Sequence, residues 1–89
     1  MDTASYLSMF YGKECPHCEK MLRLTKQLET ETGLRVNKFE VWHDKENMKT
    51  MEALDQGVCG GVPYFFNEKT HKTICGEATL DELKTWATK

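Results

Sequence analysis

Cys15-Pro16-His17-Cys18 stands between the apolar run Tyr6–Tyr11 (YLSMFY) and a helical pattern that begins at Pro16. That placement constrains the fold more than any other feature, because it asks for a strand, a tight turn and a helix start in quick succession. Pro16 suits a first helical position, where its missing N–H is not needed and its φ is already helical. Two thiols three residues apart at such a start share one face and come within reach of a disulfide. A helix N-terminus stabilises a thiolate, so one sulfur can be a nucleophile and the other its resolving partner. The motif points to thiol–disulfide exchange.

Behind Cys18, Met21, Leu24 and Leu28 recur at three- and four-residue steps, Leu22 widens the stripe, and Gly33 is the expected stop. Leu34–Trp42 alternates in part (Val36, Phe39, Val41) and reads as a second strand. Asp44 caps a second helix that turns Met48, Met51 and Leu54 inward and ends at Gly57. These methionines are core, not metal ligands. Pro63 opens Tyr64-Phe65-Phe66, a turn over 67–70 leads to a strand near His71–Ile74, and Gly76 breaks it. Thr79 and Glu82 have capping-box spacing ahead of Leu80, Leu83, Trp86 and Ala87. The order β-α-β-α-β-β-α implies an α/β fold: a four-stranded mixed sheet with helices on both faces.

The chain of 89 residues is expected to form one domain, 1–89, with a single modest core. A hydrophobic fraction of 39% with 29% charged residues suits a globule, not a disordered tail. The net charge of −2 provides no basic footprint, so neither nucleic acid nor an anionic membrane is an expected partner. No apolar stretch approaches the roughly 20 residues that span a bilayer. Met1–Ser5 is polar without a basic n-region, so no secretory signal is read there. The cytoplasm is the expected compartment, with an organelle reached after loss of a presequence as the alternative. A monomer is expected. Four cysteines could staple a secreted scaffold, but a CxxC beside a self-sufficient core points to redox or metal chemistry.

The CxxC after the first strand, Gly61-Val62-Pro63 opening the third and Gly76 before the last helix together resemble the thioredoxin-like superfamily. In size the chain resembles its glutaredoxin branch. The resemblance spans almost the whole sequence and implies the thioredoxin-like, glutaredoxin-type three-layer fold. It implies a cis peptide bond before Pro63, which faces the cysteines, and a Val62 backbone that pairs with a bound substrate segment. Thioredoxins keep a buried acid and a tryptophan where this chain has Met9 and Glu14. Glutaredoxins carry CPYC, an upstream lysine and a Gly-Cys-Asp-Asp-like segment that grips glutathione. This chain has CPHC, Lys13 and Gly76-Glu77-Ala78-Thr79, where Glu77 or Asp81 would have to replace the acidic pair. The tetrapeptide is similar to that of DsbA-type periplasmic oxidants, a match confined to the motif, because their inserted helical domain does not fit this length.

Cys15 is the expected nucleophile, at the exposed edge of the helix start, with Lys13 and a protonated His17 adding positive potential. Cys18, one turn in beside Met21 and Leu22, is the expected buried resolving thiol. His17 is expected to stabilise reduced Cys15 and make the disulfide a stronger oxidant, or else to face solvent without influence. Pro16, which stiffens the turn, counts with His17 as a tuning residue. Lys13, Tyr11, Val62, Pro63, Gly76 and Glu77 are the expected substrate-binding residues. Tyr11 and Tyr64 either rim the site or merely pack. Cys59 and Cys75 are read as buried structural thiols, with a second disulfide or a regulatory thiol as the sharper alternative. His43 and His71 read as surface residues remote from the cysteines.

The leading function is a dithiol–disulfide oxidoreductase acting on protein or glutathione mixed disulfides and restored by glutathione or a protein reductant. No organic cofactor and no metal are implied, glutathione being a possible co-substrate. The resemblance favours a glutaredoxin; a thioredoxin- or tryparedoxin-like carrier reduced by a protein partner is the runner-up. Metal or iron–sulfur binding is a second class, weakened because one CxxC supplies two ligands where structural zinc takes four. A redox-silent adaptor is the third, and such members typically lose a cysteine that this chain keeps.

Overall fold

A computed structural model describes residues 5–89. Met1–Ala4, and with them most of the stretch read for a targeting signal, lie outside the described residues. The central strand β1 (Leu7–Tyr11) pairs in parallel with β2 (Val36–Glu40) and antiparallel with β3 (Tyr64–Asn67). β3 pairs antiparallel with β4 (Thr73–Cys75), so the sheet order is β2-β1-β3-β4. A strand paired on both edges and covered on both faces must be apolar on both, which is why the first run barely alternates.

Period-two geometry sends Leu7 and Met9 to one face, where they meet Val36 and Phe65, and Phe10 to the other, where it meets Tyr64. Helices α1 (Pro16–Thr32) and α3 (Leu80–Thr88) cover the first face with Met21, Leu28, Leu83, Trp86 and Ala87. Helix α2 (Lys45–Asp55) covers the second with Met51, beside Val41. Phe65 meets Trp86 edge-on at 5.3 Å, and Phe10 stacks on Phe39 at 5.3 Å. Each large side chain removed from water contributes roughly 1.5–3 kcal/mol, and β1 collects that gain on both faces.

The helix boundaries follow local chemistry. Gly33 closes α1 in the left-handed region (φ 74°), its N–H donating to the Glu29 carbonyl at 2.9 Å. The buried face of α1 runs Cys18, Met21, Thr25, Leu28, whereas Leu24, expected in the stripe, is half-buried. Thr25 tolerates full burial because its hydroxyl donates to the Met21 carbonyl at 2.7 Å. Asp44 caps α2 by accepting the Asn47 N–H at 3.0 Å. That helix stops at Gln56 in the left-handed region, one residue before the expected Gly57. Both halves of the Thr79/Glu82 capping box form, at 3.1 and 2.8 Å.

β1, β2 and β4 are shorter than the sequence pattern suggests, whereas β3 runs one residue further, to Asn67. β2 ends at Glu40, and Trp42 leaves the ladder for the surface. The β3–β4 turn is organised by buried Asn67, whose side-chain oxygen accepts N–H groups from Lys69 (2.9 Å) and Thr70 (3.2 Å). Its amide donates to the Trp86 carbonyl at 2.8 Å and ties the hairpin to α3. Among the described residues no helix is long and apolar enough to cross a membrane.

Candidate active site

The turn 12–15 delivers both thiols. The Cys15 N–H donates to the Gly12 carbonyl at 3.1 Å, which folds the chain back so that Cys15 becomes the N-cap of α1. Pro16 has no N–H to offer, and the first amide aimed at the Cys15 sulfur is that of Cys18, at 3.2 Å. A sulfur thus fills the role that serine or aspartate plays at ordinary helix starts. Both cysteines are free thiols. Cys15 is only 4% exposed, not at an exposed edge as expected, because the cap geometry tucks its side chain against the helix start.

Cys18 is fully buried beside Met21. Burial pushes its thiol up to about 12; the hydrogen bond to the Cys15 sulfur and the charge of Cys15 add to the rise, while the Gly12 N–H opposes it. That N–H lies 3.5 Å from the Cys18 sulfur. Met9, at the place of the thioredoxin acid, is itself fully buried and supplies no proton acceptor of carboxylate kind.

An open cleft of about 460 Å³ is lined by His17, Val62, Pro63, Gly76 and Glu77. The fold therefore brings together five of the residues singled out in the sequence, from three separate stretches. The Val62–Pro63 peptide bond is cis, and the Pro63 carbonyl accepts the Gly76 N–H at 2.8 Å. His17 Nδ1 pairs with Glu77, and Lys20 Nζ approaches the other Glu77 oxygen at 3.2 Å. The bond from His17, then that from Lys20, holds the Glu77 carboxyl below its ordinary value.

Lys13 and Tyr11 are not in the wall of this cleft. Tyr11 packs, half-buried, against the first core layer, and Tyr64, fully packed in the second, is no rim residue. Lys13 is exposed, and its backbone N–H donates to Glu40 at 2.9 Å. Glu40 also accepts the N–H groups of Trp42 (3.2 Å) and His43 (2.8 Å), so it ties the cysteine turn to the loop after β2. Partial desolvation resists its ionisation, but these backbone donors, His43 first, hold the carboxyl below its ordinary value.

Sequence reasoning placed His43 far from the cysteines. Instead its Nε2 lies 2.8 Å from the carboxylate of Glu14, the residue before Cys15. The Glu14 hydrogen bond and charge push His43 up from its ordinary 6.5. Gly12 lies under the indole of Trp42: a Cβ there would sit 2.3 Å from the ring. Trp42 remains half exposed at 49%, beside the cysteine turn. The pairings of Glu40 with Lys13 and of Trp42 with Gly12 carried no periodic or motif signal, since each joins residues distant in sequence.

The reading of Cys59 and Cys75 as buried thiols is overturned. They form a disulfide with Cα atoms 5.6 Å apart, Cys59 half-buried and Cys75 exposed. The antiparallel register sets Cys75 opposite Tyr64, and the chain just before Pro63 returns to the same end of the sheet, which brings the sulfurs together. Among the described residues no cluster of three or more His, Cys, Asp or Glu side chains is arranged to hold a metal ion.

Known structures share this architecture. The glutaredoxin grx-1 from Archaeoglobus fulgidus is similar at 20% sequence identity and a TM-score of 0.68, over 96% of this chain and 88% of that one. Wheat glutaredoxin is similar at 20% identity and a TM-score of 0.59, over 92% of this chain and 70% of that one. At this identity the likeness is one of fold: the α/β, thioredoxin-like fold of glutaredoxin type. No protein-family model matches the chain, and no curated protein matches its sequence.

Proposed function

We propose that this chain is a dithiol–disulfide oxidoreductase of glutaredoxin type, in which Cys15 attacks and Cys18 resolves. The observation that carries the reading is the inequality of the two sulfurs. Both are buried, but Cys15 caps a helix and accepts its amide, whereas Cys18 is pushed up to about 12. The amide at the helix start is aimed at the first sulfur, so nucleophilic attack is assigned to Cys15 and resolution to Cys18.

The Cys15 thiolate attacks one sulfur of a substrate disulfide, forms a mixed disulfide and expels the other half as a thiolate. Bond formation removes the charge from Cys15, which is one of the causes that keep Cys18 protonated. Cys18 then ionises more readily, its proton passing to a departing thiolate or to water. It attacks the Cys15 sulfur, closes the Cys15–Cys18 disulfide and releases the reduced substrate. Two equivalents of glutathione, or one protein dithiol, return the pair to thiols and leave oxidised. The cleft along Val62, Pro63 and Gly76 receives the substrate segment, whose backbone would add to that of Val62. Disulfide-bearing proteins are the substrate class, and the cytoplasm is the compartment we assign.

Reduction by a protein partner is the second reading, favoured by Glu77. Its carboxylate is engaged by His17 and Lys20 and is less free to receive the α-amino group of glutathione. Turnover of a glutathione–cysteine mixed disulfide, with glutathione as the only reductant, tests both. Turnover that Cys15→Ser abolishes and Cys18→Ser sharply lowers supports the dithiol glutaredoxin reading. A protein that reduces disulfides only with a dithiol protein present supports the carrier, and full activity in Cys15→Ser refutes the proposed chemistry.

A further inference from the structure

The Cys59–Cys75 bridge joins the two segments that form most of the cleft. Cys59 precedes Gly60-Gly61-Val62-Pro63, and Cys75 is followed directly by Gly76-Glu77. Apart from the bridge, these segments are joined by β3–β4 pairing and by the Gly76 N–H on the Pro63 carbonyl. β4 is three residues long and lies at the sheet edge, with Thr73 and Cys75 exposed. A short edge strand of this kind opens readily on its own. The other segment is held at its start by buried Asp55, whose carboxylate accepts the Cys59 and Gly60 N–H groups, both at 2.8 Å. Beyond that anchor come two glycines, with Gly60 in the left-handed region, so the backbone itself adds little stiffness before Val62. The bridge therefore supplies a large share of the restraint that keeps Val62-Pro63 beside Gly76-Glu77.

The same bridge is open to attack. Cys75 is exposed, and an open hollow of about 430 Å³ has Val58, Cys59, Phe66, His71 and Cys75 in its wall, which leaves room for a small peptide thiol. The hollow is separate from the cleft that holds His17 and Pro63.

We propose that Cys59–Cys75 is a second thiol–disulfide site, opened by a small thiol of the glutathione class, whose closed form holds the substrate cleft in shape. The proposal rests on the reading of that cleft as the substrate site. A glutathione thiolate attacks the exposed Cys75 sulfur, the Cys59–Cys75 bond breaks, and Cys59 leaves as a thiolate that takes a proton. A second glutathione thiolate attacks the mixed disulfide, releasing oxidised glutathione and the Cys75 thiol. Oxidised glutathione drives the reverse steps. Disulfides of proteins in reducing compartments, where they occur, are usually catalytic or redox-sensing, the class to which an exposed bridge beside a substrate cleft belongs.

The test equilibrates the wild-type protein in graded mixtures of reduced and oxidised glutathione, with each cysteine quantified by alkylation and mass spectrometry. Amide hydrogen exchange at Gly76 is followed in the same samples and in Cys59→Ser/Cys75→Ser. The expected result is a two-electron titration of Cys59/Cys75 within the glutathione range. Gly76 exchange should be at least about tenfold faster in the reduced and the variant protein. The variant should also raise KM for a disulfide substrate with kcat unchanged. A bridge that persists in reduced glutathione, a Gly76 amide indifferent to its state, or an unchanged KM overturns the proposal. If the wild type turns over no disulfide at all while titration and exchange behave as expected, the oxidoreductase reading falls and the second redox site stands.

Discussion

The backbone N–H of Cys18 donates to the sulfur of Cys15 across 3.2 Å, so the first cysteine of the motif caps the helix by accepting the amide of the second. One helix start thereby treats two sulfurs differently. The outer one accepts the Cys18 amide at the helix start, and the inner one is wholly buried, in contact with the Cys15 sulfur and at a longer distance from the Gly12 N–H. That asymmetry follows from the cap geometry, because Cys18 stands at the third helical position, whose amide ordinarily reaches an N-cap side chain, while Pro16 fills the first position without losing a bond.

His17 and Glu77 should move the Cys15/Cys18 couple in opposite directions. His17→Tyr removes an imidazole from the helix start, destabilises the reduced form and makes the couple more reducing. Glu77→Gln removes a carboxylate beside His17 and Lys20 and makes it more oxidising. Shifts of about 15–30 mV each are expected, about 30 mV being tenfold in the equilibrium constant. Equilibration with glutathione measures both, and shifts of the same sign would remove this electrostatic account of His17.

The Glu14–His43 pair beside Cys15 should show a pH signature. His43 is raised above its ordinary 6.5, so the stability it contributes is fully present below that pH and is lost as pH rises through the raised value. Glu14→Gln should return His43 toward 6.5 in an NMR titration. The stability advantage of the wild type over that variant should vanish at alkaline pH. Both groups are largely exposed, so solvent screening keeps the effect small.

Gly12→Ala should displace the Trp42 indole. Its new methyl would sit 2.3 Å from the ring, and overpacking of this kind costs roughly 1–3 kcal/mol unless the ring moves. Fluorescence reads it, because the other tryptophan, Trp86, is buried in the core and should not change. A red-shifted spectrum with reduced stability is the expected outcome; an unaltered one means the indole does not rest on Gly12.

Loss of the second disulfide should cost stability that depends logarithmically on the loop it closes. For a sequence separation of 16, Cys59→Ser/Cys75→Ser should destabilise by about 3 kcal/mol through unfolded-state entropy. Denaturant titration under oxidising conditions measures it, with wild type in excess reductant approaching the variant's midpoint.

What was legible in the sequence is what local chemistry dictates. Pro16 and Gly33 bound α1, Asp44 and Thr79/Glu82 cap the later helices, and the apolar run of β1 marks the central strand. The cleft residues were found because Val62-Pro63 and Gly76 sit at recognisable junctions of that element order. Long-range pairings left no such mark. Cys59 meets Cys75, and Glu14 meets His43, only because sheet register returns distant loops to the same end. Thr25 was missed in the buried stripe because its polarity is cancelled within the helix, by the Met21 carbonyl.

Cys15 is the attacking thiol, and Cys18, pushed up to about 12, is the resolving one that keeps its proton until then. Alkylation of the reduced protein at pH 7, with each cysteine quantified separately by mass spectrometry, distinguishes them. Cys15 should react at least about a hundredfold faster than Cys18, and the Cys18 rate should keep rising well into alkaline pH. Equal rates, or a faster Cys18, would contradict the account.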